Sequence, residues 1–315
     1  MIDRSFPEGL RAPVCVAPMF LVSGPELVIA ACRAGVMGAF PAPNTRTLDD
    51  FDAWLAQISA AVGDAPWAVN LITHATNDRL AGEIEVIVRH RPPVVITALG
   101  SPRPVMQAVH GYGGLVVADV INMGLARKAI DAGVDGLACV CAGAGGHTGF
   151  LSPFAFVSAV RERFDGLIFL GGGIADGHGV AGAIAAGADM VYVGTRFIAA
   201  AESLAVEPYK AMVVNCGLDD LVVSAAVTGT PASWLRPSLA GAGYDPDNTA
   251  APPPTRNYGA PDEAARRWRD IWAAGQGVGV TKAIEPAAAI VDALAAEYAE
   301  AAARLTRLAG VRGPG

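Results

Sequence analysis

The stretch Leu137–Gly149, LACVCAGAGGHTG, decides how the rest of the chain is read. Its short apolar run opens after Gly136 and reads as a buried strand. The run stops in a loop with four glycines, Gly143, Gly145, Gly146 and Gly149, around a single imidazole, His147. Glycine removes the Cβ that would keep another group away, so Gly143, Gly145 and Gly146 are candidate positions for close backbone approach to a ligand. A strand that spills into such a loop is the layout of a site at the C-terminal edge of a parallel sheet.

Working outward, the same pattern recurs on both sides. Apolar runs begin at Val14, Val36, Trp67, Val94, Leu115, Gly136, Leu167 and Met190, and each is followed by a stretch of helical character. That makes eight strand–helix units between Val14 and about Ala205. Glycines such as Gly35, Gly133 and Gly187 sit where helices should end, and Thr47, Ser101 and Ser152 where they should begin. Strand–helix alternation calls for a parallel sheet, and eight units favour closure into an α/β fold of the (β/α)8 TIM barrel type. Residues 1–201 are the expected barrel core. Residues 202–315 are the expected C-terminal extension covering one end of it. The extension holds the β-rich DLVVSAAVTGTPASWL, a proline-rich connection at 250–258, a helix over Pro261–Trp272, the motif AAGQGVGV and a long Ala-rich helix from about Pro286 to Leu308.

Composition narrows the function. The 315 residues are 52% hydrophobic and 17% charged, enough apolar material for a large core. A net charge of −7 argues against nucleic acid or an anionic membrane as partner, so an anionic ligand would be held by local amides and dipoles. Five cysteines without a C-x-x-C pair read as reduced thiols, and MIDRSFPEGL has no apolar leader core, so the expectation is a cytoplasmic protein without a membrane span.

Two further glycine loops close strands seven and eight, in LGGGI and YVGT. Gly172, Gly173 and Gly194 would let amides point at phosphate oxygens, Thr195 could donate its hydroxyl, and helices starting near Asp176 and Arg196 would add their positive ends. The alternative is that these glycines only make tight turns. His147 suits a base or hydrogen-bond donor near neutral pH, or a turn that binds its own carbonyl. No second histidine or carboxylate lies near it in sequence, which argues against a metal site. Cys139 and Cys141 share a strand face and read as packing residues. Asn70, at the tip of strand three, meets either a ligand or a neighbouring backbone, and Met19 offers a soft apolar contact to a flat ring or ordinary packing.

With these residues in place, the chain resembles the FMN-dependent nitronate monooxygenases, formerly 2-nitropropane dioxygenases. The matching pieces are APM (Ala17–Met19), VNL (Val69–Leu71), AGGHTG (Ala144–Gly149), GGGIADG (Gly171–Gly177), GADMVYVGTRFIA (Gly187–Ala199) and WAAGQGVG (Trp272–Gly279), in the family's order. The resemblance implies FMN held without a covalent bond. Gly172, Gly173, Gly194 and Thr195 would take its phosphate. Met19, Asn70 and Gly143 would lie along the ring and ribityl chain, with Tyr192 and Val193 in the same binding segment and Gln276 near the cofactor. His147 would match the family's active-site histidine. Two positions depart from the pattern: Asp119 stands where many members have a lysine, and Ala138 where many have a glutamine. Asp119 could hold ribityl hydroxyls or pair with Lys128 or Arg127.

The implied activity is oxidation of alkyl nitronates such as propionate 3-nitronate by oxygen to a carbonyl compound and nitrite. The same superfamily includes FMN-dependent NAD(P)H enoyl-thioester reductases, which supply the alternative. A flavin-free barrel of the IMP-dehydrogenase type would use a loop cysteine after strand six, and the loop offers His147 instead. A non-catalytic flavin-binding barrel rests only on Asp119 and Ala138. The expected partners are a small-molecule substrate and oxygen, with a homodimer left open.

Overall fold

Strands covered on both faces read as unbroken apolar runs rather than alternating ones. A computed structural model describes residues 5–247 and 269–310. The barrel strands are β1 (Val14–Val16), β2 (Met37–Pro41), β3 (Trp67–Ile72), β4 (Val94–Ala98), β5 (Leu115–Val120), β6 (Gly136–Val140), β8 (Leu167–Gly171) and β9 (Met190–Val193). They pair in parallel in that order, and β9 closes on β1 through Cys15↔Tyr192, giving the expected (β/α)8 barrel. Alternation splits each strand between two cores. Cys15, Met37, Ala39, Ile96, Val117, Ala138, Phe169 and Tyr192 fill the inside. Val16, Phe40, Val69, Val116, Cys139, Leu170 and Val193 face the helices outside.

The helices run α1 (Pro25–Arg33), α2 (Leu48–Val62), α3 (Leu80–His90), α4 (Arg103–Gly111), α5 (Met123–Asp131), α6 (Pro153–Arg161) and α7 (Gly177–Ala185). Thr47 and Asp50 form a reciprocal capping box at the start of α2. The eighth unit differs from its sequence reading. Helix α8 (Thr195–Ile198) lasts four residues, because the backbone then bridges to Glu285: Ala200 pairs with it, and the Ala201 N–H donates to its carbonyl at 2.8 Å. The open place in the outer ring is taken by α11 (Ala287–Leu308), which packs on α7 and α1 and buries Ile290, Val291 and Leu294. Glu202 accepts the first amide of α11, Ala287 N–H, at 2.8 Å.

Between α8 and α11 lie α9 (Glu207–Asn215), β10 (Leu221–Ser224), β11 (Ala232–Leu235) and α10 (Arg236–Gly241). β10 and β11 form a three-stranded antiparallel sheet with β7 (Gly146–His147), inside the glycine loop after β6. The extension therefore reaches the C-terminal mouth through that loop. The proline-rich connection and most of the expected helix over Pro261–Trp272 fall outside the described residues. All five cysteines are buried free thiols. Among the described residues, no helix is long and apolar enough to cross a membrane, and no group of three or more His, Cys, Asp or Glu could hold a metal.

Candidate active site

The turn after β1 is fixed by a side chain that its sequence does not announce. Asn44 donates to the carbonyls of Met19 (3.0 Å) and Ser23 (2.7 Å) and accepts the Leu21 N–H (2.7 Å), holding Leu21 at φ +60°. Ser23 Oγ accepts the Met19 N–H at 3.0 Å. Met19 is thereby set against Gly194: a Cβ on Gly194 would lie 3.5 Å from Met19 Sδ, an ordinary contact. That glycine is not imposed by packing.

The three glycine loops converge. The Gly143 carbonyl accepts from Gly173 N–H at 3.1 Å and from Gln276 N–H at 2.9 Å. A Cβ on Gly143 would fall 2.7 Å from Gln276 Oε1, and Gly143 and Gly173 both hold positive φ, +88° and +69°. Gly145 lies on the backbone of Gly275, where a Cβ would meet its nitrogen at 2.6 Å. Gly275 N–H in turn donates to Thr195 Oγ1 at 2.9 Å, leaving the threonine's own proton to give. A Cβ on Gly172 (φ +141°) would meet the Ala142 carbonyl at 2.6 Å. Gly146 (φ +64°) and His147 are strand residues, opposite Ser233 and Ala232.

The positive end of α7 is already answered. Asp176 Oδ1 accepts Gly179 N–H at 2.7 Å, and Glu297 of α11 accepts Gly177 N–H at 2.8 Å. A ligand phosphate would find two carboxylates there, and α8 is too short to add a strong dipole. Thr195 keeps its hydroxyl proton on this side, next to Gly194.

Inside the barrel, Asn70 Nδ2 donates to Asp119 Oδ2 at 3.3 Å. The other carboxyl oxygen, Oδ1, is sealed from solvent without a partner, and so is the Tyr192 hydroxyl. Asp119 thus points inward to Asn70, and among the described residues it forms no ion pair with Lys128, Arg127 or any other cation. Burial raises its carboxyl from 3.8 to about 7, only partly offset by the Asn70 hydrogen bond. Burial, then the nearby Asp119 charge, push the Tyr192 phenol well up. Val193 differs from its neighbour: its side chain packs among the helices, and its carbonyl accepts Ala17 N–H at 3.0 Å.

A cavity of ≈ 310 Å³ opens on Gly143 and Gln276 and is otherwise lined by Leu218, Leu221, Val222, Val223 and Ser233. The sequence reading missed these five as site residues. For four of them the signal was the β-rich run after Asp220, which shows strands but not where they dock; Leu218 lies just before it. Ser233 Oγ ties that run to the late motif through the Ala274 carbonyl at 2.7 Å, and Tyr209 stacks on Trp272 and donates to the Ala273 carbonyl.

Known proteins resemble this chain in sequence and fold. A sequence profile described as nitronate monooxygenase matches residues 72–300. A (3aS,4S,5R,7aS)-5-hydroxy-7a-methyl-1-oxo-octahydro-1H-indene-4-carboxyl-CoA dehydrogenase of Mycobacterium tuberculosis is 31% identical over 235 residues, 73% of this chain and 65% of that protein. The match thus spans just under two thirds of that relative's length. A nitronate monooxygenase of Paraburkholderia phytofirmans is 28% identical over 283 residues, 76% of this chain and 77% of that protein. The solved structure of nitroalkane oxidase from Streptomyces ansochromogenes superposes with a TM-score of 0.81 at 25% identity, covering 96% of this chain and 99% of that one.

Proposed function

The chain belongs to the nitronate monooxygenase family, and from that premise we propose that it is a flavin-dependent oxidoreductase that binds FMN and oxidises alkyl nitronates with oxygen. The observation that carries this reading is the convergence of the loops after β6, β8 and β9 beside a barrel interior with two sealed, partnerless polar groups. Buried polar groups are normally satisfied, so Asp119 Oδ1 and the Tyr192 hydroxyl call for a ligand with its own polar edge. FMN fits that demand and the glycine cradle.

Bound FMN supplies the electron acceptor. The protein's residues do the rest. Gly194 and Thr195 bind the phosphate end, while Gly172 and Gly173 contribute clearance rather than helix charge. Met19 offers its sulfur to the flat ring. Asn70, Asp119 and Tyr192 form the polar floor; Gly143, Gly145 and Gly146 let backbone come close; Val193 acts through its carbonyl; Gln276 closes the cradle beside Gly143. His147 hydrogen-bonds the nitro oxygens of a nitronate, or takes the α-proton when a neutral nitroalkane is presented. The remaining site wall orients the substrate and excludes water.

The test is the absorption spectrum of the purified protein with oxygen uptake and nitrite release on propionate 3-nitronate. His147→Ala should retain FMN and lose about 10²- to 10⁴-fold in kcat/KM. A colourless protein that cannot be reconstituted with FMN overturns the reading.

A second reading is favoured by the ≈ 310 Å³ cavity and its Leu and Val lining. That lining suits an apolar substrate body. With a CoA-thioester dehydrogenase among the relatives, the same site would dehydrogenate a ring compound carried on a CoA thioester, with bound flavin taking the two electrons. Anaerobic bleaching of the flavin by such a thioester, and not by nitronate, would establish it. Bleaching by NAD(P)H with an enoyl thioester as final acceptor would instead mark a reductase.

A further inference from the structure

We propose that Asp119 meets the cofactor as a neutral acid, donating a hydrogen bond from its carboxyl to an acceptor atom of the flavin, so that cofactor binding is tied to uptake of a proton. This rests on the flavin reading above and adds a role for the residue that departs most from the family pattern.

The geometry begins with Asn70. Its amide occupies Asp119 Oδ2 and so fixes the carboxyl plane, which leaves Oδ1 as the free end. A sealed carboxylate with one hydrogen bond and no cation is costly, whereas the neutral acid needs only one acceptor for its proton. The groups that sense the Asp119 charge are Cys15 on β1, Cys139 on β6 and Tyr192 on β9, and Asn70 on β3 completes the set. All are neutral in their ordinary protonated forms, and all three titrating groups are pushed further that way by burial. Among these groups only the Asn70 hydrogen bond favours the charged form of Asp119, and burial outweighs it. The residue as a whole is half-buried although Oδ1 itself is sealed, so part of Asp119 still meets solvent. A flat ring entering there would remove the remaining water and favour the neutral acid further. Flavin ring carbonyls and ring nitrogens are the acceptors such a donor would find. A lysine at this position would donate too, but with a full charge; Asp119 donates without one.

The experiment is FMN titration of the full-length, FMN-freed protein, followed by fluorescence quenching from pH 5.5 to 9, for wild type and Asp119→Asn. The phosphate of FMN titrates equally in both, so the ratio of their dissociation constants isolates residue 119. An asparagine donates at every pH. The ratio of wild-type to variant Kd should be flat below about pH 7 and climb above it, approaching tenfold per pH unit for one linked proton. Calorimetry in two buffers of different ionisation enthalpy should show at pH 8 close to one more proton taken up by wild type than by the variant. Asp119→Ser keeps a donor without a titration and replaces the asparagine variant if that one does not fold. A flat ratio with no difference in proton uptake overturns the proposal while leaving the flavin reading intact. Absence of FMN binding by every form at every pH overturns both.

Discussion

Asp119 also makes a prediction that needs no cofactor. Its folded carboxyl titrates near 7 against an ordinary 3.8, because burial disfavours the charged form. Below about pH 4 both folded and unfolded chains carry the proton, and Asp119 imposes no penalty. Between about 4 and 7 the unfolded chain releases the proton while the folded chain keeps it, so stability falls as pH rises. Above about 7 both are ionised and the loss is complete. About three pH units at 1.36 kcal/mol each give roughly 4 kcal/mol. Water meeting the exposed part of Asp119 relaxes some of this, so a loss of about 2 to 4 kcal/mol is expected. Asp119→Asn removes the titration and leaves an offset independent of pH. Unfolding entropy of about 2.1 cal/mol/K per residue converts this into roughly 3 to 6 °C for a chain of this length. The FMN-free variant should therefore gain melting temperature relative to wild type by that amount between pH 4 and 7, most of it above pH 5, with a constant difference beyond. Scanning calorimetry of both proteins at half-unit pH steps reads it directly. Parallel curves across the range would show that the carboxyl ionises freely and would refute the burial argument.

Three other substitutions, with one control, test the junctions around the site. Gly145→Ala drives a Cβ into the Gly275 backbone and should destabilise by about 1–3 kcal/mol with loss of bound flavin, whereas Gly111→Ala, which meets nothing, should leave urea stability unchanged or slightly raised. Glu297→Ala removes the acceptor of Gly177 N–H and should cost about 1–2 kcal/mol in urea unfolding. Ser233→Ala leaves the Ala274 carbonyl without its buried donor and should cost about 1–3 kcal/mol, read by the same unfolding curves.

The barrel was legible because its signals are local. Eight apolar runs, helix-ending glycines and a cap such as Thr47 each act within a few residues, and closure follows from their number. The eighth helix was not legible in the same way. TRFIAAAESLA has helical composition, but Glu285, more than eighty residues on, captures the backbone at Ala200 and hands the outer position to α11. The candidate site divides along the same line. The positions of Gly143 and Gly173 just beyond strand ends followed from periodicity. That Gly173 gives its amide to Gly143, that Glu297 neutralises α7, and that Asn44 sets Met19 all depend on contacts between distant segments. Asp119 lies between the two cases: its strand-tip place was readable, its inward hydrogen bond to Asn70 was not.

The placement of His147 is itself a long-range effect. Strand β7 has two residues, and a lone pair of such strands is marginal at best in water. Its order must come from β11, and β11 is held by Trp234, which is fully buried among Val227, Leu239, Ile271 and Ala273 and donates to the Ser224 carbonyl at 3.2 Å. Trp234→Ala should cost about 3–5 kcal/mol, but in this outer layer rather than in the barrel, which keeps its own separate core. Hydrogen exchange should then accelerate together at 146–149 and 221–235 while β3 to β6 stay protected, because local stability follows local packing. Turnover should fall with FMN still bound, since His147 loses its position but Gly194, Thr195 and the barrel floor do not. If residues 146–149 remain protected in that variant, the histidine is held by its own loop, and the extension is a cover rather than a part of the site.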